Sequence, residues 1–190
     1  MALDQRNYDP ALRAGADSTF TQLNYSTLND GTTSATATTL EINRTCDASG
    51  RMVAGGSTLT ITEALHDGKV IKLDTAAGTT CTLPAATGSG AKFKFLITTI
   101  ATTNNHIVKV ANANDTMMGT ILTVADSGDT VYGWIAGATA DTITLNRTTT
   151  GSVTIGEWVE VMDVATNKFS VTGVTTASGT EATPFSATVS

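Results

Sequence analysis

Apolar and polar residues alternate with a period of two through most of the chain beyond residue 56. Thr58-Leu59-Thr60-Ile61-Thr62, Thr142-Ile143-Thr144-Leu145 and Trp158-Val159-Glu160-Val161 each place apolar side chains on one side and polar ones on the other, the pattern of a half-buried strand. Between such runs lie His66-Asp67-Gly68, Ala77-Gly78, Thr87-Gly88-Ser89-Gly90, Asn104-Asn105, Asn112-Ala113-Asn114-Asp115, Asp126-Ser127-Gly128-Asp129, Gly137-Ala138, the stretch from Asn146 to Gly151, and Thr166-Asn167. These residues tolerate positive φ or form side-chain turns. The punctuation predicts strands at Thr58–Thr62, Val70–Leu73, Thr79–Leu83, Lys92–Ile100, His106–Ala111, Thr120–Ala125, Thr130–Ile135, Thr142–Leu145, Glu157–Val164 and Lys168–Val174. Pro84 closes the third of them because proline cannot donate to a continuing ladder. No full helix is expected among them, although Thr62-Glu63-Ala64-Leu65 can form a single helical turn. Many short strands at regular spacing predict an all-β fold, an antiparallel β-sandwich or jelly-roll-like knob over residues 57–190.

Residues 1–56 read differently. Leu3, Tyr8, Leu12, Phe20, Leu23, Tyr25 and Leu28 follow no steady period, and Gly31 to Thr39 is poor in large apolar groups. Two readings stay open for this N-terminal arm: a disordered linker, or an extended segment whose seven apolar residues anchor it on a neighbouring subunit and order only there. Asp9-Pro10 can start a short helical turn that Gly15 ends.

Composition narrows the chemistry. Hydrophobic residues make up 41% of the 190 positions but aromatics only 5%, so Val, Ile, Leu and Thr carry the core pattern. The formal charge is −6 with a pI near 4.7, and no Lys or Arg run interrupts the acidic balance, which argues against nucleic acid as a partner. No apolar run approaches the roughly 18 residues of a membrane span, and the mixed charges after Met1 do not form a secretory signal. Membrane is therefore not an expected partner, and synthesis in the cytoplasm is expected.

Residues that do chemistry are scarce, with two His and two Cys in the chain. His66 falls in a turn and His106 opens a strand, neither with a catalytic neighbour in sequence; Gly-x-Ser-x-Gly and His-Glu-x-x-His motifs are absent. Gly88-Ser89-Gly90 reads as a strand connector and not a phosphate cradle. Cys46 and Cys81 are either a disulfide or, as a reducing compartment favours, one exposed thiol and one buried in a strand. The acidic turns at 112–115 and 126–129 could offer oxygen to a hard cation, but neither follows the twelve-residue calcium loop, and turn formation is their simpler role. No metal or cofactor is expected. Trp134 and Trp158 read as core or interface residues, with sugar stacking the alternative. Met117-Met118 is expected to fill a core gap, and Lys92-Phe93-Lys94-Phe95 to alternate wet and buried faces. Asn-x-Ser/Thr triplets at Asn24, Asn43, Asn114 and Asn146 are expected by chance where 39 residues are Thr.

Thr62-Glu63-Ala64-Leu65-His66-Asp67-Gly68-Lys69, Thr82-Leu83-Pro84-Ala85-Ala86-Thr87-Gly88-Ser89-Gly90-Ala91 and Gly179-Thr180-Glu181-Ala182-Thr183-Pro184-Phe185-Ser186 together resemble capsid decoration, or cement, proteins of tailed bacteriophages, over about residues 62–190. The resemblance implies a non-enzymatic virion protein on the capsid exterior. Its partner would be the major capsid protein at capsomer junctions, with the arm clamping neighbouring subunits. It also implies self-association, a homotrimer at a local threefold being the first expectation, with unpaired strand edges and Phe185 as interface. The alternative is a phage tail or receptor/glycan-binding β module, which requires Trp134 or Trp158 in an open cleft. A hydrolase would need His66 or His106 brought beside an Asp and a nucleophile.

Overall fold

The computed structural model describes residues 50–189; the seven arm anchors Leu3, Tyr8, Leu12, Phe20, Leu23, Tyr25 and Leu28, and Cys46, lie outside them. The described chain is all-β. In order it forms β1 (Met52–Ala54), β2 (Thr58–Thr60), the one-turn helix α1 (Glu63–His66), β3 (Lys69–Leu73), β4 (Thr80–Thr82), β5 (Lys92–Ile97) and β6 (His106–Lys109). There follow β7 (Thr116–Ala125), β8 (Val131–Ile135), β9 (Thr142–Leu145), β10 (Trp158–Ala165), β11 (Lys168–Ala177) and β12 (Phe185–Ser186). Each of the ten expected strands has a counterpart, and the helical turn falls within one residue of its expected place. β1 and β12 were not expected, and β1 lies before residue 57, within the segment read as arm, where it pairs with β3.

The strands form a seven-stranded sheet, β1-β3-β5-β10-β11-β7-β8, and a five-stranded sheet, β12-β9-β6-β4-β2. The expectation of antiparallel pairing is corrected: five pairings are parallel and five antiparallel. From β1 to β6 the chain crosses to the other sheet after every strand, so β1, β3 and β5 stack in parallel in one sheet and β2, β4 and β6 in the other. The turn clusters here are corners between sheets and not hairpins. Period two reveals which face of a strand is buried, but it is silent on the direction of the neighbour. At one corner Gly78 has φ +96 and so little room that a Cβ would lie 2.5 Å from the carbonyl oxygen of Asn105 in the next corner; only glycine permits that stacking. The later chain is antiparallel where it turns back: β7 with β8, β10 with β11, and β9 against β6.

Both sheets feed one core. Ile71, Leu73, Phe93, Phe95, Ile97, Ile121, Val159, Val161, Phe169 and Val171 come from the larger sheet and Cys81, Val108, Ile143 and Leu145 from the smaller. Burying each large side chain is worth about 1.5–3 kcal/mol. Phe185 also belongs to this cluster, at 8% exposure, so the expectation that it lies on an interface is corrected: β12 pairs with β9 and turns the ring inward.

Candidate docking face

The histidines are structural. His106 is fully buried; its Nδ1 accepts from the Thr79 N–H at 3.1 Å and its Nε2 donates to Thr99 O at 2.9 Å. Both ring nitrogens are thus committed to backbone, in the neutral form. Burial lowers its pKa, outweighing the Thr99 carbonyl and the more distant Asp74 and Glu157. His66 is also buried, and its Nδ1 takes the Thr62 N–H at 3.0 Å, closing the first turn of α1. Cys81 is free and wholly buried, and burial first, Asp74 second, push its thiol up to about 12.

The buried carboxylates Asp115, Asp141, Glu157 and Asp163 play the same inward role. Asp163 is fully buried. Its Oδ2 accepts from the Thr87 and Ser89 N–H groups at 2.9 and 3.2 Å, and its Oδ1 from the Gly88 N–H at 2.7 Å. Burial alone would raise its pKa, but the bonds from Thr87, Gly88 and Ser89 outweigh that and hold it below the ordinary carboxylate range. The connector between β4 and β5 thus turns the N–H groups of Thr87, Gly88 and Ser89 toward one of the protein's own carboxylates. Glu157 is held likewise by the N–H groups of Ser152, Val153 and Thr154 at 2.6–2.7 Å. Asp141 accepts from Thr188 and Val189 and fastens the C-terminal segment. In the turns considered for cations, Asp115 accepts from the Ala86 N–H and from Asn112 Nδ2, and Asp129 accepts from the hydroxyls of Ser127 and Thr130. Among the described residues, no three His, Cys, Asp or Glu side chains converge as a metal site.

The remaining candidates divide by face. Met117 is buried and fills the core as expected, whereas Met118 is 45% exposed. Phe93 and Phe95 are buried while Lys92 and Lys94 point away. Trp134 is half-buried against the core, stacks on Tyr132 at 6.1 Å, and donates Nε1–H to Thr123 Oγ1 at 3.1 Å. Trp158 is half-buried on the opposite, outward side of the larger sheet, with Lys94 Nζ 4.5 Å from its ring centroid. A cleft of about 270 Å³ is lined by Ile135, Phe185, Gly137 and Thr139 among others and contains neither tryptophan.

The outward face of the larger sheet carries an apolar row assembled by register. Residues directly opposite one another on paired strands share a face. Trp158 stands opposite Leu96 on β5 and Val174 on β11, Val174 opposite Leu122 on β7, and Leu122 opposite Gly133 on β8. Buried residues flank each in sequence, so the row Leu96, Trp158, Val174, Leu122 points away from the core across four adjacent strands. At about 4.8 Å per strand it runs roughly 14 Å. Leu122 and Val174 are 45% and 38% exposed. The row's polar neighbours are Lys94 opposite Glu160, then Thr172 and Thr120. An apolar band with a half-buried tryptophan and a polar rim is suited to packing against another protein. The signal was present in sequence: Leu96, Leu122, Trp158 and Val174 are apolar at positions where period two calls for polar residues.

No family model, curated protein or solved structure matches the chain. Among the described residues, no helix is long and apolar enough to cross a membrane.

Proposed function

We propose that the protein works by docking and not by catalysis, as a structural virion protein that packs onto the outer surface of a phage capsid at capsomer junctions and stabilises the shell. The observation that carries the docking is the outward apolar row Leu96, Trp158, Val174 and Leu122. The shell as target rests on the sequence resemblance to capsid decoration proteins. Buried carboxylates and histidines support the same reading, since the polar side chains with most chemical potential are occupied in tying loops together. In this reading the two sheets form a sandwich-like knob, the N-terminal arm clamps neighbouring subunits through its apolar anchors, and many weak contacts on a symmetric lattice retain the protein by multivalency. The alternative glycan-binding module has less support, because Lys94 lies against the ring of Trp158 and the cleft near Ile135 lacks a tryptophan.

The test is co-sedimentation with undecorated capsids of a phage that encodes the chain. Three forms are compared: the full chain, Leu122→Lys/Val174→Lys, and a chain starting at Gly50, chosen so that β1 is kept. Saturable binding at a fixed ratio by the full chain, lost in the double variant and weakened without the arm, supports the reading. Undiminished binding by the double variant removes the sheet face from it, and no binding by the full chain removes the capsid.

A further inference from the structure

The larger sheet ends in a strand that carries none of the usual protections of an edge. β8, Val131-Tyr132-Gly133-Trp134-Ile135, is five residues long and, among the described residues, has β7 on one side only. The other edges that are free among the described residues, β1, β2 and β12, are three, three and two residues long. Edges are normally kept solitary by shortness, lysine, proline or a bulge. From Thr130 to Ala140 there is no charged residue and no proline, and Val131 and Ile135 are 59% and 78% exposed.

The direction of the unpaired backbone groups follows from the ladder with β7. Ala125 N–H donates to Thr130 O, and Ala136 N–H donates to Gly119 O. Bonded pairs alternate in an antiparallel ladder, so Thr130, Tyr132, Trp134 and Ala136 turn their N–H and C=O toward β7. Val131, Gly133 and Ile135 turn theirs outward. These three positions form a sequence that reads the same way reversed in character: a β-branched apolar residue, a glycine, a β-branched apolar residue.

We infer that β8 pairs antiparallel with β8 of a second copy of this chain, about a two-fold axis at Gly133, joining two seven-stranded sheets into one. Val131 then stands opposite the partner's Ile135, Gly133 opposite the partner's Gly133, and Ile135 opposite the partner's Val131. Each of the three positions presents one N–H and one C=O, and every one of these groups finds its complement across the axis. The partner's β7–β8 turn extends past Ile135 toward the mouth of the cleft lined by Gly137 and Thr139. No like charges meet, because neither strand carries any. The contact is isologous and closes at two copies. A threefold ring would instead pair β8 with one of the shorter edges, so the two-fold replaces the trimer expected from resemblance. The inference stands independently of the capsid reading, since it concerns the edge of the sheet and not its outward face.

The experiment is analytical ultracentrifugation of the full chain from micromolar to near-millimolar concentration, with two double variants at exposed positions. Val131→Lys/Ile135→Lys places Lys opposite Lys twice across the axis and should weaken the dimer about tenfold or more. Val131→Lys/Ile135→Glu places Lys opposite Glu twice and should restore dissociation to within a few-fold of the unaltered chain. That rescue is specific to the antiparallel register, since a parallel pairing would set like charges together. Amide hydrogen exchange of the unaltered chain gives a readout free of any variant: protection of Val131, Gly133 and Ile135 should rise with concentration. A monomer throughout, a trimer, a dimer indifferent to the Lys pair, a failed Lys/Glu rescue, or exchange independent of concentration would each overturn the inference.

Discussion

Replacing Asp163 with Asn changes one atom and tests the carboxylate cradle directly. In the folded protein Oδ2 serves the Thr87 and Ser89 N–H groups and Oδ1 the Gly88 N–H at 2.7 Å. The amide that best preserves this keeps its oxygen in the Oδ2 position and turns its NH2 toward Gly88, where two donors then face each other. An unsatisfied buried donor costs about 1–3 kcal/mol, and the surviving bonds lose their charge assistance. A destabilisation of about 2–4 kcal/mol follows, or about 6–12 °C in Tm for a chain of this size. Because the folded pKa is depressed, the folded state binds fewer protons than the unfolded between the two pKa values. The carboxylate's contribution is therefore full above about pH 4 and drains away as pH falls through the folded value. Urea unfolding of both proteins at pH 7 and pH 3 should show a wide gap at neutral pH that narrows in acid. A gap under about 1 kcal/mol at pH 7, or one unchanged at pH 3, would mean that the cradle does not hold an ionised group.

Three further outcomes are expected. Gly119→Ala should cost at least about 3 kcal/mol and shift the urea midpoint accordingly, because Gly119 has φ +125 and a Cβ would sit 2.0 Å from Val171 O on the adjoining strand. His106→Leu should lose about 2–4 kcal/mol by stranding Thr79 N–H and Thr99 O. In the unaltered protein the lowered pKa of His106 makes stability fall as pH drops below about 6.5, a slope the Leu variant should lack in a series of unfolding curves. Cys81 should resist thiol reagents at pH 8 until denaturant is added, and its rate of labelling should rise with denaturant as the opened core becomes populated.

The strands were legible because their two faces differ chemically. Phe93 and Phe95 between Lys92 and Lys94, or Val159 and Val161 beside Glu160, announce a buried side whatever the neighbouring strand does. Strand direction was not legible, since the corner at Gly78 and a hairpin turn use the same residue types, and what separates them is the stacking of one corner on the next. β1 and β12, at three and two residues, are too short to show a period. The site was only partly legible. Trp158 stands out in the sequence as one of two tryptophans, but its row with Leu96, Val174 and Leu122 exists only once register sets four strands side by side. The roles of Asp163 and Glu157 depend on N–H groups 74–76 and 3–5 residues away in sequence, and side-chain identity alone cannot distinguish an acid that faces water from one that organises a loop.

The order of strands in the larger sheet has a consequence for synthesis. β10 and β11 occupy its middle, between β5 on one side and β7 on the other. On a ribosome the β7–β8 hairpin emerges complete at Ile135, yet the strand that attaches it to the body begins only at Lys168. At about 5–20 residues per second the hairpin waits some 2–7 seconds with its inward Met117 and Ile121 uncovered. Nascent chains that stall before Lys168 carry two disconnected halves of a sheet. The centre of this sheet is laid last, and until it arrives the inward faces of the two halves have no strand between them.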